Sequence, residues 1–234
     1  MIDVYSWATP NGHKVHIMLE ECGLRLGRDW RAIPTDIGSG DQFKPEFLRI
    51  SPNNKIPALV DPNGPDGKPI ALFESGAILL YLAAKTGCFL PQSDRLKFQV
   101  LQWLMFQMGS VGPMLGQTHH FRMYAPEKID YAVNRYTSET RRLYGVMDKQ
   151  LGSSRFIACD EYTIADIAIF PWLRSWQNQG IAWADYPRLK VWFDLIAARP
   201  AVARGVQVLA DLRRPITGDK EREILFGSTQ YQQR

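Results

Sequence analysis

The stretch Asn53-Asn54-Lys55-Ile56-Pro57-Ala58-Leu59-Val60, read together with Phe73-Glu74-Ser75-Gly76-Ala77-Ile78-Leu79-Leu80-Tyr81, decides the fold. In the first piece an Ile-Pro step feeds a short apolar strand, Ala58 to Asp61. Proline donates no backbone hydrogen bond, so the strand begins with an open edge. With Pro57 in a cis bond, the Ile56 backbone would face outward and accept an extended peptide as an added strand. In the second piece, Glu74-Ser75 stands at the mouth of a helix. Helix N-termini carry open N–H groups and the positive dipole end, which suit a carboxylate, and a serine hydroxyl adds a donor. A free peptide edge beside a carboxylate cradle fits a small acidic peptide.

Outward from this centre, Ile2 to Ser6 alternates apolar and polar and reads as a strand with Ile2 and Val4 on one face. Thr9-Pro10-Asn11-Gly12 breaks the pattern. From His13, the residues Val15, Ile17, Met18, Leu19 and Cys22 suggest a helix closed by Gly23. Trp30 to Ile33 reads as a second strand and Pro45 to Leu48 as a short helix. Ala58 to Asp61 and Ile70 to Leu72, across the turn Asn63-Gly64-Pro65-Asp66-Gly67, read as a hairpin. The helix from Glu74 to Lys85 is apolar nearly all round and is expected to be buried. The order β-α-β-α-β-β-α matches the thioredoxin-like fold.

After Gly87 to Pro91 no strand signal remains. Helices are predicted over Asp94 to Met108, Pro126 to Leu151, Thr163 to Gln179 and Tyr186 to Ala198. In the last of these, Leu189, Trp192, Phe193 and Ile196 form one stripe. Thr163-Ile164-Ala165-Asp166 is a capping box, and Thr163 and Asp166 receive a structural role only. The fold class is therefore α/β followed by all-α. The expected domains are residues 1–87 and 93–212, with 213–234 as a C-terminal arm or tail.

The totals set bounds. With 234 residues, 45% of them apolar and 22% charged, the chain has the make-up of a soluble globular enzyme with ample core. No apolar run approaches the ~18 residues of a membrane span. No signal segment is visible at Met1-Ile2-Asp3-Val4. The net charge is +4, of which five basic and three acidic residues from Arg213 onward supply +2, too little to argue for nucleic acid. Cys22, Cys88 and Cys159 are far apart and odd in number, which points to small buried hydrophobes in a reducing, cytoplasmic setting. His119-His120 invites a metal reading, but adjacent helical residues diverge by ~100° and no further ligand completes a set. No metal is expected. These two histidines are expected to line a second-substrate cavity or pack at the domain junction, and His13 and His16 to lie at the surface.

Thioredoxin-like oxidoreductases usually carry a cysteine pair between the first strand and first helix, where the helix N-terminus favours thiolate. Here that place holds Thr9-Pro10-Asn11-Gly12, with neither cysteine nor serine nucleophile, and Tyr5 lies early, within the strand. A reactive sulfur must then come from a bound ligand.

The run Ser51 to Pro57, Phe73-Glu74-Ser75, Ile78 to Leu82 and Thr163 to Asp166 resembles the glutathione S-transferases, over roughly the first 210 residues. Thr9-Pro10-Asn11-Gly12-His13-Lys14 and Gly116-Gln117-Thr118-His119-His120-Phe121 are similar to the nu class, bacterial glutathione-dependent disulfide-bond oxidoreductases. The resemblance implies the glutathione transferase fold and glutathione, reduced or oxidised, as bound substrate. It implies a homodimer, a disulfide as second substrate, and weak transferase or peroxidase side activity. Thr9 and Asn11 match the threonine and asparagine beside the glutathione sulfurs; the alternative is that both merely cap the helix, a role compatible with the first. The γ-glutamyl carboxylate would meet Ser75 and its ammonium Glu74, and the cysteinyl backbone would pair with Ile56. Gln42 and Lys55 are candidates for the glycyl carboxylate, and the resemblance favours Gln42. Arg135 matches an arginine that reaches a glutathione carboxylate; without the family it reads as a solvated helix face. A conventional glutathione-conjugating transferase and a non-catalytic glutathione-binding regulatory module are the alternatives.

Overall fold

The computed structural model describes residues 1–232. The chain divides into two compact units, Met1–Leu82 with the residues from Ala201 onward, and Ala83–Pro200. The expected limits at 87, 93 and 212 do not coincide with these units.

In the first unit, β1 (Ile2–Ser6) alternates buried and half-buried side chains, with Ile2, Val4 and Ser6 facing in. It leads through a turn to α1 (Pro10–Glu21) and then β2 (Trp30–Pro34). The short α2 (Pro45–Leu48) precedes the hairpin of β3 (Ala58–Asp61) and β4 (Ile70–Phe73), and α3 (Ser75–Thr86) follows. The sheet runs β2-β1-β3-β4. β1 is parallel to β2, with Val4 opposite Ala32, and antiparallel to β3, with Val4 opposite Leu59. Pro34 extends β2 one residue beyond the expected end, which costs no sheet hydrogen bond on an edge strand. The core joins Val4, Ile17, Met18, Trp30, Leu59, Ile78, Leu79 and Leu82, all fully buried. In α3, Ile78, Leu79 and Leu82 are buried while Ala77, Ala84 and Lys85 are exposed, so this helix is half-wrapped rather than enclosed.

The second unit is helical: α4 (Asp94–Phe106), α5 (Gly112–His119), α6 (Asp130–Gln150), α7 (Ile164–Leu173) and α8 (Pro187–Ala197). One correction concerns residues 109–124, over which the sequence pattern predicts no helix. The chain instead stays helical there, with wider π turns at Gln107–Val111 and His120–Tyr124 flanking α5. Pro113 falls directly after the first π turn, where the widened backbone accommodates its ring and its missing N–H. Gly116 lies against the Trp172 ring, which a Cβ would meet at 3.6 Å, an ordinary contact distance. Helix α6 begins at Asp130 rather than Pro126. Helix α7 ends at Leu173 rather than Gln179, the chain beyond it forming turns.

Two further helices escaped the sequence reading, α9 (Pro200–Gln207) and α10 (Asp219–Phe226). Both belong to the first unit. Gly205 of α9 approaches α1 so closely that a Cβ would come within 2.8 Å of the Ile17 backbone. The expected arm over 213–234 thus contains α10 and a turn at Ser228–Tyr231, while residues 233 and 234 lie outside the described residues.

Candidate functional site

Strand register alone brings three pieces of sequence to one end of the sheet. Tyr5 faces Ala58 across β1 and β3, and Ala58 faces Phe73 across β3 and β4. The turn leaving β1, the Ile56-Pro57 step entering β3 and the Glu74-Ser75 step leaving β4 are therefore neighbours.

At the first piece, Thr9 is the N-cap of α1, with extended backbone and its Oγ1 accepting from Gly12 N at 3.4 Å. Pro10 starts the helix, where its fixed φ is pre-set for the turn. Gly12 is obligatory, since a Cβ would stand 2.2 Å from the Trp7 carbonyl oxygen. The first turn of α1 holds no acidic residue, so its own side chains leave its positive end in place. Thr9 and Asn11 are both half-buried at this turn. A hydroxyl that accepts from Gly12 N keeps its own hydrogen for another acceptor, so the turn can stabilise an anion.

At the second piece, the Ile56–Pro57 peptide is cis. The loop before it is braced by the buried Ser51, whose Oγ donates to the Lys55 carbonyl at 2.9 Å. At the third piece, Glu74 has φ +68°, the left-handed region that costs a side-chain-bearing residue about 1 kcal/mol or more. Its carboxylate stands exposed while the following Ser75, the first residue of α3, is buried. Ile78 N donates to the Glu74 carbonyl, the first hydrogen bond of α3, so the first-turn N–H groups point out of the helix.

Beneath Ser75 lies a residue that sequence reasoning missed. Lys14, in α1, is 1% exposed, and its Nζ donates to Ser75 Oγ at 3.1 Å. Burial drives its pKa down from 10.5 to about 7, with Glu74 pulling the other way. Every residue from Gly12 to Leu19 is buried, so no amphipathic pattern could have flagged an inward lysine.

The same packing corrects the surface role expected for His13 and His16. They are 3% and 0% exposed. His16 Nε2 meets Ser6 Oγ at 2.7 Å, its ring stacks on Trp30, and burial pushes its pKa down to about 3. The sheet on one side and α9 on the other leave α1 no solvent face along this stretch.

Gln42 is buried, its Nε2 donating to the Ile37 carbonyl at 3.1 Å. Lys55 meets the C-terminal arm instead of open solvent: its Nζ donates to Gln230 Oε1 at 2.9 Å, and Gln230 Nε2 donates to Asn54 Oδ1 at 3.0 Å. Helix α10 lies over the loop before Gln42, with Glu221 near Gly38 and Ile224 near Gly40. Nothing in the arm's composition signalled this contact.

In the helical unit, Arg135 lines an open cleft of about 610 Å³ with Tyr131, Asn134, Glu139 and Arg142. His119 stacks on Trp172 and meets Gln179 Nε2 at 3.2 Å, and His120 packs edge-on against Phe121. Thr163 caps α7, and the fully buried Asp166 accepts from Thr163 N, Thr163 Oγ1, Ile157 N and Trp192 Nε1 at 2.8–3.1 Å. Cys22, Cys88 and Cys159 form no disulfide and are half-buried rather than enclosed, and Cys22 sits at the far end of α1 from Thr9. Among the described residues, no group of three or more His, Cys, Asp or Glu is placed to hold a metal ion, and no helix is long and apolar enough to cross a membrane.

Comparison with known proteins gives a consistent picture. Residues 8–85 match the family model "Glutathione S-transferase, N-terminal domain", and residues 130–195 match "Glutathione S-transferase, C-terminal domain". The chain is 53% identical over 207 residues to the disulfide-bond oxidoreductase YfcG of Escherichia coli, covering 88% of this chain and 94% of that protein. It is 45% identical over 214 residues to the disulfide-bond oxidoreductase YghU of the same organism, covering 87% and 73%. Among solved structures, a glutathione transferase family member from Pseudomonas fluorescens with two glutathione bound superposes with a TM-score of 0.83 at 47% identity, over 88% of this chain and 92% of that one. A glutathione transferase from Pseudomonas putida, with one glutathione disulfide bound per subunit, gives 0.83 at 44% identity, over 88% and 91%.

Proposed function

The chain belongs to the glutathione S-transferase family, and from that premise we propose that it is a glutathione-dependent disulfide-bond oxidoreductase of the nu class. The observation that carries this reading is the turn between β1 and α1. It offers the Thr9 hydroxyl, Asn11 and the helix N-terminus, and no thiol. Cys22, at the other end of α1, is about 17 Å away along the helix. The sulfur that reacts is then that of glutathione, and the names borne by the E. coli relatives agree with this chemistry.

In the proposed reaction, Thr9 and Asn11 hold the glutathione sulfur as thiolate by hydrogen bonding and the α1 dipole. The thiolate attacks one sulfur of the substrate disulfide, a new S–S bond forms, and the other half leaves as a thiolate that takes a proton from water. A second glutathione thiolate attacks the mixed disulfide, giving glutathione disulfide and the second substrate thiol. The tripeptide is held along its length: the γ-glutamyl carboxylate by Ser75 and the first turn of α3, its ammonium by Glu74, and the cysteinyl backbone by Ile56. Lys55 and Gln42 stand near the glycyl end, and Arg135 serves a carboxylate of a second glutathione. Phe98 and Met105, one heptad apart on α4 and 65% and 53% exposed, offer an apolar stripe for the homodimer this family leads us to expect.

The test is to assay the full chain with glutathione against a small mixed disulfide and against a chloronitrobenzene. Disulfide turnover should dominate, and Thr9→Ala and Asn11→Ala should each lower its kcat/KM by about 10- to 100-fold; Thr9→Ala, which also removes the α1 cap, should cost a few degrees at most in the thermal midpoint, and both variants should stay folded. A much faster reaction with the aromatic halide would make the chain a conjugating transferase. Loss of disulfide turnover in a variant with all three cysteines changed to serine would restore a protein nucleophile.

A further inference from the structure

The C-terminal arm has no part in the proposed reaction, yet it grips both loops that carry candidates for the glycyl carboxylate. Helix α10 covers the loop before Gln42: a Cβ on Gly38 would meet Glu221 Cγ at 3.5 Å, and one on Gly40 would meet Ile224 Cγ2 at 3.9 Å. The turn Ser228–Tyr231 covers the other, where Gln230 Oε1 accepts from Lys55 Nζ at 2.9 Å and Gln230 Nε2 donates to Asn54 Oδ1 at 3.0 Å. That turn is tied back to α10, since Glu223 Oε1 accepts from Ser228 Oγ at 2.8 Å and from Thr229 N at 3.1 Å. Resting on the glutathione reading, we propose that Gln230 is a positioning residue for the glycyl carboxylate: it holds the Lys55 ammonium at that end of the tripeptide and so makes the site select ligands with a charged C-terminus.

The direction of the ligand follows from its other two contacts. Phe73, two residues before Ser75, faces Ala58 across the hairpin, so a γ-glutamyl group at Ser75 lies on the Ala58 side of Ile56. A peptide that pairs with the Ile56 backbone and runs on past it comes next to Lys55. The backbone there is held from within: Asn54 N donates to the Ser51 carbonyl and Ser51 Oγ to the Lys55 carbonyl, both at 2.9 Å. The Lys55 side chain is another matter, being long and exposed. A ligand that had to fix it would lose affinity to the rotamer freedom given up. Gln230 imposes that order beforehand. A neutral amide suits the task, because its oxygen takes one of the three ammonium hydrogens and does not cancel the charge that a carboxylate needs. Gln42, by contrast, is buried with its amide nitrogen donating to the Ile37 carbonyl, so Lys55 is the better exposed of the two candidates.

The probes are S-methylglutathione and its glycyl ethyl ester, which differ in charge at that end alone. In calorimetry on the full chain, wild type should bind the acid about tenfold more tightly than the ester. Gln230→Ala should weaken the acid about fivefold and the ester less than about twofold. Gln230→Glu should weaken the acid further, because its carboxylate neutralises Lys55 and repels that of the ligand, while the ester stays within about twofold of wild type. In a Lys55→Met background, Gln230→Ala should bring little further loss of acid binding. A brace that merely supports the loop would lower acid and ester alike. That result, equal affinity of wild type for both probes, or acid binding unchanged in both Gln230 variants overturns this inference and leaves the glutathione reading intact. Failure of wild type to bind the acid, the ester or glutathione overturns that reading, and this inference with it.

Discussion

Asp166 and Lys14 are both ionisable, both buried, and embedded in opposite ways. Asp166 is spent inside the helical unit: its two oxygens accept from two backbone N–H groups, a hydroxyl and an indole. Those bonds tie the loop at Ile157, the start of α7 and Trp192 of α8 together. Lys14 is instead aimed at Ser75, the residue that opens α3 beside the exposed Glu74. Burial penalises charge in both cases, raising the pKa of the acid and lowering that of the amine. The difference teaches that a buried carboxylate ringed by four donors ties the framework together, whereas a buried amine brought close to pH 7 makes the stability of its unit depend on pH.

Removing each group tests the contrast. Asp166→Ala should have the largest effect, because it leaves three N–H donors and a hydroxyl buried without their acceptor. A loss of roughly 3–5 kcal/mol is expected in chemical denaturation. A loss below about 1 kcal/mol would show that water replaces the carboxylate and that Asp166 is less structural than its contacts imply.

Lys14→Met should act through pH. The unfolded amine holds its proton to about pH 10.5, whereas the native one releases it near pH 7. Between those values the unfolded chain binds more protons, so native stability rises with pH. The stability of wild type relative to Lys14→Met should therefore climb above pH 7 by up to about 1.4 kcal/mol per pH unit, and be least favourable below it. Denaturation at several pH values measures this, and a flat difference would place Lys14 among the framework groups with Asp166.

The smallest effect belongs to Gln230→Ala, which cuts the arm from Lys55 and Asn54. These bonds are at least partly solvent-exposed, so the cost should stay under about 1 kcal/mol, a shift of a few degrees at most in the thermal midpoint. A larger loss would make the arm part of the fold's framework.

From the sequence alone the order of strands and helices from β1 to α3 was legible, because a two-residue alternation in β1, a proline before β3 and a Gly-Pro turn in the hairpin are local signals. The candidate binding residues Thr9, Ile56, Glu74 and Ser75 were legible for the same reason: each sits where one element hands over to the next. The capping box of α7 was equally readable. What only the tertiary structure decided is everything that depends on which faces are covered. Residues 109–124 carry no helix in the sequence pattern yet stay helical, with Gly112 and Gly116 against Trp172, and His13 and His16 read as surface residues until the sheet and α9 enclose α1. The arm reaches Lys55 through a residue separation of 175. Local propensity sets how a segment is shaped; burial, and with it the charge state of Lys14, is a property of neighbours distant in the chain, and no short stretch of sequence carries it.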